Sequence, residues 1–362
     1  MIKPDFMRRA LQLAERGLYT TSPNPRVGCV IVNAAGEIIG EGWTQPAGQN
    51  HAEIQALNDA AARGHSVAGA TVYVTLEPCA HFGRTPPCCD ALIRAGVGHV
   101  VSAMSDPNPL VAGQGLARIA AAGIGVTENL LADEALALNR GFVQRMTQGR
   151  PLLRLKIAAS LDGRTALANG ESQWITGEAA RADGHHWRAR SCAILTGIGT
   201  VLADDPLLNV RAVETPRQPT KVIVDSQLRM PPGAAILRTP GCLIATTVQD
   251  AKQHAPLLAA GAEILVLPAH EGRVDLQALV AALAKRNFNE VHVEAGAILN
   301  GALLSAGCAD ELLVYLAPTL LGPSARAMLD FPALPHLAEA SRWQIEDQRL
   351  FGTDLRLMLR RA

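Results

Sequence analysis

The sequence predicts a mixed α/β protein made of two domains in tandem. Three observations lead there. The chain has 362 residues, long for one domain and comfortable for two. Short apolar runs bounded by turn residues alternate with stretches of helical periodicity, the order expected of α/β layers. Near the middle, Gly149-Arg150-Pro151 interrupts that order, as a linker would. We place the boundary between Met146 and Pro151 and assign the domains to 1–147 and 148–362. Hydrophobic residues make up 48% and aromatics only 4%, so the cores must rest on Ala, Val, Leu and Ile.

In the first half, Asp5 to Gly17 has apolar and charged residues at helical spacing, with Gly17 suited to end the helix. Thr21 to Pro25 is a loop broken by proline. Val27 to Val32 is a short apolar run, hence a buried strand. Ala34-Ala35-Gly36 turns the chain, and Ile38 to Trp43 returns as the paired strand. A helix follows from His51 to Arg63, and a strand from Thr71 to Thr75. Pro86-Pro87 precedes a helix from Cys88 to Ala95, and Val97 to Ala103 is the next strand. Helices are expected at Gly113 to Ala122 and Leu130 to Phe142. This alternation predicts an α/β/α sandwich.

In the second half, Leu152 to Ala159 is an apolar strand that carries Arg154 and Lys156. Val291 to Glu294 reads as a strand, Ala295-Gly296-Ala297 as a tight loop and Ile298 to Ala306 as a helix. Small residues at a helix start let backbone N–H groups approach a pyrophosphate. Ordinary strand–helix packing around a turn glycine gives the same pattern. No Gly-x-Gly-x-x-Gly follows a strand, so a Rossmann dinucleotide site is not supported.

Lys plus Arg number 33 and Asp plus Glu number 33, for a formal net charge of zero. That argues against a general nucleic-acid binder, which carries a basic footprint, but leaves room for a local basic pocket. The seven cysteines, Cys29, Cys79, Cys88, Cys89, Cys192, Cys242 and Cys308, are odd in number and clustered, which suits metal better than disulfides. Met1 to Phe6 lacks the apolar core of a signal peptide, and no apolar run is long enough to span a bilayer. The expected setting is a reducing cytoplasm, without membrane or nucleic-acid partners. A homodimer is the default assembly, although the sequence carries no interface signature.

The chemistry concentrates between His51-Ala52-Glu53 and Cys88-Cys89. One imidazole and two thiols, from His51, Cys79 and Cys88, can hold a tetrahedral zinc and leave its fourth position open. A catalytic zinc uses that position to bind and acidify water. Cys88 at a helix start is placed where partial positive charge favours a thiolate. Glu53 lies in the first turn of its helix, where it can face the metal without ligating it and shuttle protons, as in zinc nucleobase deaminases. Each piece alone has a bland reading: His-Ala-Glu as a surface helix start, the cysteines as small buried hydrophobes. A structural zinc would need a fourth ligand. Cys89 could supply it, but adjacent residues rarely both point at one metal.

The cysteine spacing departs from the simple Pro-Cys-x-x-Cys pattern, because Ala80 to Pro87 intervenes. That insert, with Thr21-Ser22-Pro23-Asn24-Pro25, Val27-Gly28 and Asp106-Pro107-Asn108-Pro109, resembles the deaminase half of the bifunctional riboflavin-biosynthesis deaminase–reductases. The resemblance continues through Lys156 to Gly163, Gly170 to Thr176, Ile194 to Arg211, Val224-Asp225-Ser226 and Val293 to Gly296. It implies a cytidine-deaminase-like first domain and a dihydrofolate-reductase-like second domain. It also implies zinc in the first, NADPH in the second and small phosphoribosylaminopyrimidines as substrates. The first domain would deaminate 2,5-diamino-6-(5-phosphoribosylamino)pyrimidin-4(3H)-one. The second would reduce the ribosyl group of the resulting 5-amino-6-(5-phosphoribosylamino)uracil to ribityl.

The resemblance places Asn24, Asp106 and Asn108 near the first substrate. Arg84 is then a partner for its phosphate, and His81 a donor to phosphate or pyrimidine. In the second domain Arg188 and Arg211 become the phosphate cations, and Lys156 and Glu294 the groups that polarise or protonate the substrate. Ser172 and Leu208 line the substrate pocket together with Glu294. Ala158, Trp174, Thr200, Asp204, Ser226 and the run Gly296, Ala297, Ile298, Leu299, Asn300, Gly301 and Ala302 line the cofactor pocket. Two rival readings remain open. One is a nucleoside or nucleic-acid deaminase fused to an unrelated nucleotide-binding domain. The other is a non-enzymatic zinc-stabilised binding module.

Overall fold

The computed structural model describes residues 2–82, 86–109 and 112–361. The chain divides into two compact units, Met1–Gly149 and Arg150–Ala362, and both are mixed α/β.

The first unit runs α1 Pro4–Glu15, β1 Gly28–Val32, β2 Ile38–Trp43, α2 Ala52–Ala62, β3 Thr71–Val74, α3 Cys88–Arg94, β4 His99–Ser102, α4 Gln114–Ala121, β5 Gly125–Thr127 and α5 Ala132–Gln148. Its described strands form one sheet in the order β2-β1-β3-β4-β5. β1 is antiparallel to β2 and β3, whereas β3, β4 and β5 run parallel. Strand alternation sends Cys29 and Ile31 into a core with α2, α3 and α4 residues. It sends Val30 and Val32 to the opposite face, among Met7, Ala10 and Leu13 of α1 and Ala135 of α5. Helices thus cover both faces of the sheet, the sandwich expected from the pattern.

Several elements differ in their bounds from expectation: α1 ends at Glu15 rather than Gly17, β4 starts at His99 rather than Val97, and the strand β5 was not expected. α5 continues six residues past Phe142, to Gln148. It departs from helical dihedrals at Asn139, whose side chain is occupied elsewhere. The Asn139 amide accepts from Arg26 N at 2.8 Å and donates to Arg26 O at 2.8 Å. The helix expected from His51 begins at Ala52, with His51 in the preceding capping position.

α2 lies close to β2 because both contact faces are small. Ala52, Ala56 and Ala60 are fully buried, spaced four apart on one helix face. Opposite them are Gly40 and Gly42 of β2. A Cβ on Gly42 would fall 2.4 Å from Ala52 O and 2.5 Å from Ala56 N. This packing fixes the first turn of α2, and with it Glu53, against the sheet.

The second unit holds β6 Leu152–Ser160, β7 Arg164–Ala166, α6 Glu178–Arg190, β8 Ala193–Gly197, α7 Ile198–Asp204, β9 Thr220–Val224, β10 Cys242–Thr246, α8 Ala251–Ala259, β11 Ala262–Val266, β12 Ala269–His270, β13 Arg273–Val274, α9 Leu276–Lys285, β14 Glu290–Val293, α10 Ala297–Ser305, β15 Glu311–Ala317, β16 Arg326–Ala327, β17 Trp343–Phe351 and β18 Asp354–Arg361. The main sheet has the order β11-β10-β9-β8-β14-β6-β15-β18-β17. It is parallel from β11 to β15, and β18 and β17 extend it antiparallel. The predicted loop-and-helix start is present, with Gly296 capping α10. Among the described residues no helix is long and apolar enough to cross a membrane.

Candidate active sites

In the first unit His51 stands just before α2, Cys79 follows β3, and Cys88 opens α3. Their donor atoms all lie within 4.8 Å of one another. The His51 Nδ1 atom is 3.7 Å from Cys79 Sγ and 3.4 Å from Cys88 Sγ. A tetrahedral zinc with ordinary Zn–N and Zn–S bonds separates nitrogen from sulfur by about 3.5 Å. The three residues therefore fit a zinc ion. Cys89 points away from them, its thiol donating to Asp90 Oδ1 at 3.6 Å.

Cys88 stands at the first position of α3, as expected. Its backbone N–H donates to Cys79 Sγ at 3.3 Å. Cys79 is held down to about 4, first by the hydrogen bond from the Cys88 thiol and also, against its burial, by His51 and the Cys88 backbone N–H. The same pairing pushes Cys88 up. Glu53 is buried beside them. Burial, and then the negative charge of Cys79, push its carboxyl up to about 7.

Asn24 lies in the turn before β1, its N–H donating to Thr21 O at 2.9 Å. His81 is exposed. Asp106 accepts from Asn108 N at 2.9 Å. Its carboxyl is raised first by burial, and it feels the charges of Glu77, His81 and Cys79. His81 and Asp106 thus belong to the same neighbourhood as the metal loop. Arg84 lies outside the described residues.

In the second unit a cavity of about 2850 Å³ opens at the carboxyl ends of the parallel strands β6, β8, β9 and β14, where open α/β sheets bind ligands. It exceeds the roughly 300–1,000 Å³ of a single small-molecule pocket, which leaves room for a cofactor beside a substrate. All the candidates named for this half line it except Gly301. Gly301 instead packs under Asp330, where a Cβ would fall 1.8 Å from Asp330 O. Its small size serves packing rather than cofactor approach.

Register explains the centre of the cavity. Leu155 of β6 pairs with Val293 of β14, so Lys156 and Glu294 follow side by side. From α6, Arg188 grips Glu294 with a two-pronged ion pair, Nη2 to Oε2 at 2.8 Å. Arg188 Nη1 donates to Asn209 O at 3.0 Å. Burial pushes Glu294 up, but Arg188, His292 and Lys156 together hold it well below the usual carboxylate range. Glu294 is therefore held as an anion in its ion pair with Arg188. Burial lowers the Lys156 amine, against the pull of Glu294. Arg188 is largely engaged by the protein, whereas Arg211 is exposed and its guanidinium donates to Asn209 Oδ1 at 3.3 Å.

Sequence reasoning missed several residues of this cavity. His185 lies three positions before Arg188 on the same face of α6. Its Nδ1 accepts from Arg211 N at 3.4 Å. Burial, then Arg188 and Arg211, lower it to about 4, so it is neutral at pH 7. Arg229 and Arg273 also line the cavity. No local pattern marks any of them, because their relation to the cavity depends on strand order.

The comparisons with known proteins agree with both halves. Residues 2–104 match the family described as the cytidine and deoxycytidylate deaminase zinc-binding region. Residues 151–356 match the RibD C-terminal domain. The chain is 50% identical to the riboflavin biosynthesis protein RibD of Escherichia coli over 98% of both chains. It is 48% identical to that of Haemophilus influenzae over 97% of this chain and 95% of the relative. Among solved structures, one form of Acinetobacter baumannii RibD superposes with a TM-score of 0.91 at 45% identity, covering 99% of this chain and 98% of the other. A Thermotoga maritima protein does so with 0.88 at 31% identity over the same shares. It is described as a diaminohydroxyphosphoribosylaminopyrimidine deaminase and 5-amino-6-(5-phosphoribosylamino)uracil reductase.

Fold and sites thus define an enzyme with two chemistries, a zinc-binding deaminase domain and a reductase domain that uses a nicotinamide cofactor. It acts on small pyrimidine substrates as a hydrolase and an oxidoreductase. The chain belongs to the bifunctional deaminase–reductase family of riboflavin biosynthesis.

Proposed function

We propose that residues 1–147 deaminate 2,5-diamino-6-(5-phosphoribosylamino)pyrimidin-4(3H)-one and that residues 148–362 reduce 5-amino-6-(5-phosphoribosylamino)uracil with NADPH. The observation that carries the first half is the set of three donor atoms within 4.8 Å beside the buried Glu53. His51, Cys79 and Cys88 hold zinc, which when bound supplies the Lewis acidity for hydrolysis. Glu53, with its proton poised at about 7, takes a proton from the attacking water and delivers one to the departing ammonia. Asp106, Asn108 and Asn24 address the pyrimidine, while His81 and Arg84 serve the substrate's polar end.

In the second half the nicotinamide supplies hydride to the ribosyl carbon. Lys156 supplies the proton, in a site where Glu294 keeps the amine oriented. Arg211 holds the substrate phosphate with Arg188 behind it, and Ser172 and Leu208 frame the substrate. Ala158, Trp174, Thr200, Asp204, Ser226 and the start of α10 from Gly296 to Ala302, without Gly301, would hold the cofactor. The exposed Trp174 indole, stacked 4.4 Å from the Arg181 guanidinium, offers a flat face to a ring. The enzyme works in the cytoplasm as a homodimer and needs no membrane or nucleic-acid partner.

Metal analysis of the purified protein, with assays on the diamino substrate with and without NADPH, tests this reading. The expected result is one zinc per chain and ammonia release without NADPH, with NADPH oxidation only once the uracil product forms. Equal turnover of a nucleoside lacking the phosphoribosylamino group would favour the rival deaminase reading.

A further inference from the structure

Glu77 is buried between β3 and Cys79, and its carboxylate collects backbone N–H groups from a separate stretch of chain. Oε2 accepts from Asp106 N at 3.0 Å and Gly113 N at 2.9 Å. Oε1 accepts from Gly115 N at 2.8 Å and Leu116 N at 3.3 Å. The Glu77 N–H donates in turn to Met104 O at 2.9 Å. Capping the start of α4 requires only the Oε1 pair, since Gly115 and Leu116 are its first-turn residues. The Oε2 pair does something else. It clasps the chain at Asp106 and again at Gly113, on either side of Asn108.

The approach is close as well as polar. A Cβ on Gly115 would fall 1.9 Å from Pro78 O, so this segment abuts the residue just before Cys79. Asp106 Oδ1 accepts from Asn108 N at 2.9 Å, which closes Asp106 to Asn108 into one local turn. One buried carboxylate therefore ties that turn to the peptide that carries a metal ligand.

We propose that Glu77 is a positioning residue for deamination, fixing the Asp106–Asn108 turn against the metal loop so that it engages the pyrimidine substrate. This rests on the deaminase reading above. Glu77 touches no reacting atom and acts through Asp106 and Asn108.

The test uses the full-length protein. Glu77→Gln keeps the shape and still accepts from Gly115 and Leu116 through its carbonyl. Its amide then opposes the Asp106 and Gly113 N–H groups. The expected result is a KM for the diamino substrate raised about ten- to a hundredfold, the loss from a broken charged hydrogen bond. The kcat stays near that of the parent, zinc content is unchanged, and reduction of the uracil intermediate is intact. Glu77→Asp keeps the charge with a shorter reach and should raise KM less. Adding Asp106→Ala to Glu77→Gln should cost less than the two separate effects combined, because both act through one turn.

An unchanged KM in Glu77→Gln overturns the proposal, as do fully additive effects in the double variant. Loss of zinc from both Glu77→Gln and Glu77→Asp also overturns it, since Glu77 would then hold the metal loop itself. Failure of the deaminase reading looks different: the zinc-loaded parent would release no ammonia from the diamino substrate.

Discussion

At the scale of single residues, the deaminase centre combines a buried acid with three ligand atoms. Glu53→Gln removes the proton shuttle and keeps the shape. Deamination should fall by about two to four decades, with zinc content and reduction of the uracil intermediate unchanged. Zinc loss in that variant would make Glu53 a ligand. Replacing Cys79 or Cys88 by Ser should empty the metal site, whereas Cys89→Ser should leave it filled, because the Cys89 thiol is turned towards Asp90. Metal analysis of the three variants decides the assignment.

In the reductase cavity the Arg188–Glu294 pair makes a pH-dependent contribution. The Glu294 carboxyl is held below its ordinary value near 4.5, so the folded state releases this proton more readily than the unfolded chain. Its stabilisation is complete above about 4.5 and drains away as pH falls towards the folded value. Breaking a buried pair costs on the order of 3–5 kcal/mol. Glu294→Gln should therefore melt well below the parent at pH 7, with a gap that narrows in acid below about 4.5. A gap that stays constant with pH would refute this. The candidate metal ligands, which the structure brings within 4.8 Å of one another, were legible in the sequence because few residue types bind zinc. Arg188 and Glu294, 106 positions apart, were each legible as candidates, but their pairing was not. Nothing local encodes a contact made by sheet register.

At the scale of elements, the alternation of short apolar runs and helical stretches carried far. The returning strand expected at Ile38 to Trp43 is found with those bounds. Expectation failed where tertiary contacts decide. α5 outruns its apolar pattern through a polar last stretch, Gln144 to Gln148, and the three-residue β5 is too short to show a period. Glycine weakens a strand interior, yet Gly40 and Gly42 of β2 are what admits α2. Gly42→Ala should lower stability by about 1–3 kcal/mol through overpacking. Because the added methyl group presses on the first turn of α2, deamination should fall while reduction persists. Calorimetry and the two assays check this, and equal loss of both activities would contradict it.

At the scale of the whole molecule, the two chemistries are expected to be separable. Every proposed zinc ligand belongs to the unit Met1–Gly149, and every proposed nicotinamide contact to Arg150–Ala362. A metal chelator should stop ammonia release from the diamino substrate yet leave NADPH oxidation with the uracil intermediate untouched. If chelation abolished both in protein that remains folded, the zinc would serve both reactions and the two-site reading would fall. The strand order of the larger sheet was the least legible feature. Periodicity identifies strands one at a time, and nothing in β6 says that its neighbours lie at the far end of the chain.

That order has a consequence for the protein as it is made. β6, almost wholly buried, is the first strand of its sheet to leave the ribosome, but its two neighbours, β14 and β15, are the last of the parallel set. Among the described residues the N-terminal unit has its last strand by residue 127 and can close while synthesis continues. β6 must wait with both edges open until residues 290–317 have emerged. Throughout that interval the nascent chain carries an unpaired apolar strand, the kind of edge that invites aggregation and that holding chaperones exist to cover.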